Sequence, residues 1–229
     1  RDAKQQEFFM MCLSNLVKKV SFTDPSISVP VKLNPERFAQ NPERMEAARF
    51  KLKTLENIDV YDKFENVCQL NINRIESLKD IYSNGITSEI ISNDARLLTK
   101  EFGGTEILQD ESVDLILTSP PYAGAQKYIR SSWLNLYWLG TKNSEDIRLL
   151  NKQNIGREDY HKADMFRVIT NIQAADDVLT SLYNEGKNER AFIVGNYLNE
   201  MKSAIDESVR VLKTGGYMII VIGNNTVCG

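Results

Sequence analysis

The chain has 229 residues, 42% of them hydrophobic and 26% charged, and a net charge of −3. That length suits one sizeable domain with an insertion, or two small ones, and the balance is ordinary for a soluble globular protein. It excludes a global nucleic-acid signature, and no apolar run approaches the length of a membrane span. The start, Arg1-Asp2-Ala3-Lys4, is no signal peptide and lacks an initiator methionine. Cys12, Cys68 and Cys228 are scattered and odd in number, without metal spacing. They read as reduced thiols and place the chain in the cytoplasm. His161 is the sole histidine, so no histidine-rich metal site is expected.

Residues 5–20 place Phe8, Phe9, Cys12, Leu13, Leu16, Val17 and Val20 at helical spacing. Lys18 and Lys19 near its end suit the helix dipole. The first 55 residues hold ten Lys and Arg against six Asp and Glu. Lys18, Lys19 and Lys32 are therefore candidate phosphate contacts, with a solvated helical surface as the plainer reading. Pro25, Pro30 and Pro35 make 23–35 an extended connector. Asn41-Pro42-Glu43 combines an N-cap, a first-turn proline and an early acid, and opens a helix to about Glu56. Another helical stretch runs over 61–82, closed by Asn84-Gly85.

The period then changes. Residues 86–92 are short and β-branched and predict a strand, followed by Asn93-Asp94-Ala95-Arg96. Residues 97–102 allow a short helix, and 113–117 predict a second, buried-type strand. In 128–139 Trp133, Tyr137 and Trp138 fall at helical spacing, which favours a core role over a base-stacking one. Residues 162–185 and 191–212 read as helices. Lys213-Thr214-Gly215-Gly216 reads as a helix stop and turn, before a third strand over 217–222 ended by Gly223-Asn224-Asn225. Strands that alternate with helices and read as continuous apolar runs imply an α/β fold whose parallel sheet is covered on both faces.

The most informative string is Ser119-Pro120-Pro121-Tyr122, directly after Asp114-Leu115-Ile116-Leu117-Thr118. Proline cannot continue a ladder, so the strand must stop there. It stops with a hydroxyl, rigid carbonyls and a flat ring at its carboxyl end, where open α/β sheets bind ligands. An exocyclic base amine is a poor nucleophile, because its lone pair is delocalised into the ring. Acceptors around its N–H groups can hold it pyramidal and drain the developing positive charge. The Ser119 oxygen and the Pro120 carbonyl supply two in fixed geometry. Pro121 keeps them preorganised, and the Tyr122 ring can stack on a base swung out of the helix.

This segment resembles motif IV of the AdoMet-dependent DNA amino-methyltransferases, (Asp/Asn/Ser)-Pro-Pro-(Tyr/Phe), and its Thr-Ser-Pro-Pro-Tyr form is most similar to the cytosine-N4 branch. Ile91-Ser92-Asn93-Asp94-Ala95-Arg96 resembles motif III, a strand followed by an acid that meets the adenine of the cofactor. Tyr128-Ile129-Arg130 with Trp133 to Gly140 is similar to the segment trailing motif IV. Arg210-Val211-Leu212-Lys213-Thr214-Gly215-Gly216 and the strand after it resemble the "RVLKPGG" turn and fifth strand. The helical N-terminus resembles an insertion seen in some members.

The resemblance implies a partial Rossmann-like class I methyltransferase sheet over 85–229 and a helical insertion over 1–84. It implies S-adenosyl-L-methionine as cofactor, with Asp94, Asn93, Ala95 and Thr118 on the cofactor side. It implies Ser119, Pro120, Pro121 and Tyr122 as the catalytic loop. The partner would be double-stranded DNA with a flipped target base, contacted by Tyr128, Arg130, Lys18 and Lys19, as in restriction-modification. Adenine N6, RNA or protein glutamine as target, and a subunit that binds nucleic acid without methylating, remain the alternatives. The family's aromatic-x-Gly-x-Gly loop is absent, since Phe102-Gly103-Gly104-Thr105 falls between motifs III and IV. The acid that should end a second strand is absent too. In the family the first and second strands lie between those of motifs III and IV. The expectation is therefore an interior piece of a longer protein, or half of a split enzyme, with the glycine loop on another segment or chain.

Overall fold

The computed structural model describes residues 2–79, 87–98, 108–123, 127–141 and 143–223. Two compact units divide the chain, one of residues 1–87 with 128–150 and one of residues 88–127 with 151–229.

The first unit is helical. α1 (Ala3–Val20) is capped by the Asp2 carboxylate, which accepts from the Lys4 N–H at 3.1 Å. Its Cys12, Leu16 and Val17 are buried, as their spacing requires. α2 (Pro42–Glu56) starts as the sequence indicates, with the Asn41 side chain accepting from the Arg44 N–H at 3.1 Å. α3 (Val60–Lys79) packs on α1, and its buried Asn71 donates to the Cys12 sulfur at 3.4 Å. Asn84-Gly85 lies outside the described residues. The connector after α1 is more ordered than its prolines suggest. It doubles back through an antiparallel bridge between Thr23 and Lys32. Buried Asp24 fastens the turn by accepting from the Ser26 N–H at 2.9 Å and its hydroxyl at 2.6 Å. α4 (Tyr128–Trp138) meets α1 through Asn135, whose amide donates to the Ser14 carbonyl at 3.0 Å. That polar contact leaves Trp133, Tyr137 and Trp138 exposed rather than in the expected core. α5 (Ser144–Gln153) was not anticipated by periodicity. Its start is set by Asn143, which accepts from the N–H groups of Glu145 and Asp146, both at 2.9 Å.

The second unit is built on β1 (Val113–Thr118), α6 (Gln173–Asn184), α7 (Asn188–Val211) and β2 (Leu212–Ile220). The strands pair in parallel, with Leu115 opposite Tyr217 and Thr118 opposite Ile220. Between the Val113–Leu212 and Leu115–Tyr217 pairs the register shifts. Residues 213–216 are therefore a bulge within β2 rather than a turn before it. Gly215 takes φ +84° there, and a Cβ on Gly216 would sit 2.9 Å from the Asp114 carbonyl oxygen. α7 packs on α6 and buries Ala191, Phe192, Ile193, Ala204 and Val211.

Four further expectations are corrected. Residues 87–92 are in no strand, because nothing among the described residues pairs with them. The helix expected over 162–185 starts only at Gln173. Before it, the Asp176 carboxylate accepts from the Thr170 N–H and hydroxyl, both at 2.8 Å, and Asn171 takes φ +59°. Residues 97–98 are not helical, and 99–102 lie outside the described residues. Among the described residues the sheet is also not covered on both faces. Leu115 and Leu117 of β1 stand beside Tyr217 and Ile219 of β2 on one face, and they are 54%, 68%, 74% and 48% exposed.

Candidate active site

β1 delivers the Ser-Pro-Pro-Tyr loop to its carboxyl end. The Thr118 carbonyl accepts from the Val221 N–H at 2.9 Å, which extends the ladder by one bond beyond β2. The prolines then end pairing, with Ser119 exposed, Pro120 buried, and Pro121 and Tyr122 half-buried. The Tyr122 hydroxyl accepts from the Gly223 N–H at 3.3 Å, just past β2. A Cβ on Gly223 would come within 3.1 Å of that hydroxyl. On the other side stands buried Gly156, with φ +79°. A Cβ there would fall 2.9 Å from the Tyr122 carbonyl oxygen and 3.4 Å from the Tyr197 ring. The loop is thus gripped between two glycines, and at Gly156 both the approach and the left-handed backbone demand glycine.

Asp94 lies in the turn after the unpaired 87–92 run. Its Oδ1 accepts from the Arg96 N–H at 3.0 Å and Nε at 2.9 Å, and its Oδ2 from Nη2 at 2.8 Å. This is both a local cap and a bidentate ion pair. The other Arg96 Nη donates to Glu200 of α7 at 3.1 Å. Burial pushes the Glu200 carboxyl above the usual carboxylate range, partly offset by the Arg96 charge. Nearby, the Arg157 guanidinium stacks 3.9 Å over the Tyr160 ring, which packs edge-on against Phe192 at 5.0 Å. Asn93 and Ala95 flank Asp94 on the surface.

Of the expected site residues, Asp94, Asn93, Ala95, Thr118, Ser119, Pro120, Pro121 and Tyr122 all lie in the second unit. Tyr128, Arg130, Lys18 and Lys19 lie in the first. The Arg130 guanidinium stands 5.8 Å from the Trp133 ring centre. The Lys18 ammonium donates to the carbonyls of Ile27 at 3.3 Å and Ser28 at 2.9 Å, while Lys19 and Lys32 are exposed. Phe102-Gly103-Gly104-Thr105, Asn224 and Asn225 lie outside the described residues. Arg210, from the string before β2, pairs with Glu207 and Asp110 and so ties the end of α7 to the lead-in of β1. Sequence reasoning missed Gly156 and Glu200. Glu200 did leave a signal: it is a carboxylate on the stripe of α7 that otherwise carries Ile193, Tyr197, Ala204 and Val211.

Among the described residues no group of His, Cys, Asp and Glu is arranged to hold a metal, and no helix is long and apolar enough to cross a membrane. No protein-family profile and no solved structure matches the chain. It is similar to the type II methyltransferase M.MvaI of Kocuria varians, with 26% identity over 232 residues. The match covers 96% of this chain and 46% of that protein, so the chain spans about half the length of its relative and its weak homology is to a methyltransferase.

Proposed function

We propose that this chain carries the base-binding part of an AdoMet-dependent DNA methyltransferase whose target is the N4 amine of cytosine. The observation that carries the reading is Ser119-Pro120-Pro121-Tyr122 at the carboxyl end of a parallel strand, gripped by Gly156 and Gly223. Similarity to a type II methyltransferase over nearly the whole chain supports it.

In this reading the Ser119 oxygen and the Pro120 carbonyl accept from the target amine and take up the charge that develops on its nitrogen. Pro120 and Pro121 fix those acceptors before substrate arrives. The Tyr122 ring stacks on the flipped base. The sequence has no Pro-Cys pair for a thiolate attack on the ring carbon, so the amine attacks directly and no covalent enzyme intermediate forms. S-adenosyl-L-methionine supplies an electrophilic methyl group when bound. Asp94 fits its adenine end, as a sheltered carboxylate whose orientation Arg96 fixes, and Asn93, Ala95 and Thr118 are assigned to the cofactor with it. Tyr128, Arg130, Lys18 and Lys19 are assigned to the DNA. The glycine-rich cofactor loop belongs to a further segment or chain. The uncovered sheet face and the unpaired 87–92 run are surfaces that such a segment would cover.

The test incubates the full polypeptide with methyl-tritiated AdoMet and duplex DNA, RNA or protein. Label is expected in duplex DNA alone, recovered as N4-methylcytosine. Label recovered as N6-methyladenine would move the target to adenine. Label in RNA or protein, or none anywhere, would overturn the reading.

A further inference from the structure

One carboxylate stands between the two assigned parts of the site. Glu200 Oε1 accepts from Arg96 Nη1 at 3.1 Å, and Oε2 accepts from the Gly156 N–H at 3.4 Å. On the first side, Arg96 is the residue that grips both oxygens of Asp94. Its Nη2 also donates to the Gln153 carbonyl at 3.1 Å, three residues before Gly156. On the second side, Gly156 is the residue whose α-carbon leaves no room between it and the Tyr122 carbonyl.

We infer that Glu200 is a positioning residue that sets the Asp94 carboxylate and the Tyr122 loop against one another, acting through Arg96 and Gly156. The inference rests on the reading of Asp94 as the cofactor acid and of Tyr122 as the base-stacking ring. Three observations carry it. The pairing is sheltered: the side chains of Arg96, Asp94 and Glu200 are only 21%, 24% and 22% exposed. Charges so placed interact more strongly than surface pairs, and each is costly to leave alone. Glu200 also occupies a stripe of α7 where an apolar side chain would pack at no desolvation cost. Finally, both of its oxygens are used, each toward a different segment. A Gln at this position keeps an acceptor for Arg96 but offers an N–H to an N–H at Gly156.

The test uses the full polypeptide and three variants, Glu200→Gln, Arg96→Lys and Gly156→Ala. AdoMet affinity is measured by calorimetry, methyl transfer in a single turnover on duplex DNA, and hydrogen exchange over 92–98 and 119–123. Glu200→Gln is expected to weaken AdoMet binding about fivefold, as the ion pair to Arg96 becomes a neutral hydrogen bond, and to slow transfer about tenfold, as the hydrogen bond from Gly156 is lost. It should also speed exchange in both segments, with a melting temperature close to wild type. Arg96→Lys, which lacks the planar fork, should move affinity more than rate. Gly156→Ala should move rate more than affinity. Unchanged exchange in either segment of Glu200→Gln overturns the inference. A wild-type protein that neither binds AdoMet nor transfers methyl would sink the functional reading. The two exchange measurements would then still decide whether Glu200 couples the segments.

Discussion

Tyr122 is held by its hydroxyl on Gly223, its carbonyl against Gly156, and its backbone by the preceding prolines. In the proposed reading the face of the ring serves the base and not the cofactor. Tyr122→Ala should therefore slow single-turnover methyl transfer by about 10- to 100-fold, the worth of one base–aromatic stack, and barely move AdoMet affinity. A collapse of cofactor affinity instead would reassign the tyrosine. Glu200 sets a pH dependence. Its carboxyl faces Arg96 and Asp94 from one segment and Arg157 and Tyr160 from another, and burial raises its proton affinity above that of an ordinary glutamate. Methyl transfer should fall as pH drops through that raised value, because a neutral carboxyl no longer balances Arg96. The same limb should be missing from the residual activity of Glu200→Gln. For stability the sign is opposite. A carboxyl whose folded proton affinity is raised favours folding at low pH, and that gain is lost as pH rises through the raised value. The position of the Ser-Pro-Pro-Tyr loop was legible in the sequence, because two prolines end a ladder wherever they fall. Gly156 was not, because what demands it is the Tyr122 backbone, 34 positions away and invisible to any local pattern.

Among the elements, a helix start was legible where a cap and a first-turn proline stood together, since an N-cap acts over three or four residues. Asn41 and its proline announced α2. Asn143-Ser144-Glu145-Asp146 announced α5 in the same language, but α5 has only Ile147 buried and so no apolar stripe to draw attention. The late start of α6 has a different cause. Val168-Ile169-Thr170 continues the helical pattern in sequence, yet Val168 is committed to α7. A Cβ on Gly195 would lie 2.8 Å from both Val168 Cβ and Cγ1, and 3.2 Å from Leu179 Cδ1. Gly195→Ala should cost about 1–3 kcal/mol by overpacking, read as a lower denaturant midpoint with an unchanged slope. The Asp176 cap on Thr170 adds a titratable element. Those hydrogen bonds hold the Asp176 carboxyl below the usual aspartate range. Its contribution is present above the ordinary aspartate value and is lost as pH falls through the lowered one. Asp176→Asn should therefore flatten part of the acid limb of a melting-temperature profile, and an unchanged limb would show that the cap contributes nothing.

At the scale of the whole molecule, the parallel strand pair and its flanking helices were readable from the alternation of apolar runs with helical spacing. The number of strands was not. Whether 87–92 forms a ladder depends on a neighbour that periodicity cannot see, and among the described residues there is none. Amides at 88–92 should exchange rapidly in this chain alone. They should become protected in a polypeptide that also carries the proposed glycine-loop segment. Fast exchange in both would leave that segment without a role at this edge.

The grip on Tyr122 has a consequence for the order in which the protein is made. The ring and its partner at Gly223 are 101 residues apart, and the strands that bring them together are almost as distant. At about 5–20 residues per second, roughly 5–20 s of synthesis separate the loop from the residue that holds it. During that interval an apolar strand and two prolines must wait without their ladder, so nascent chains stalled before β2 should be bound by chaperones far more than chains stalled after it.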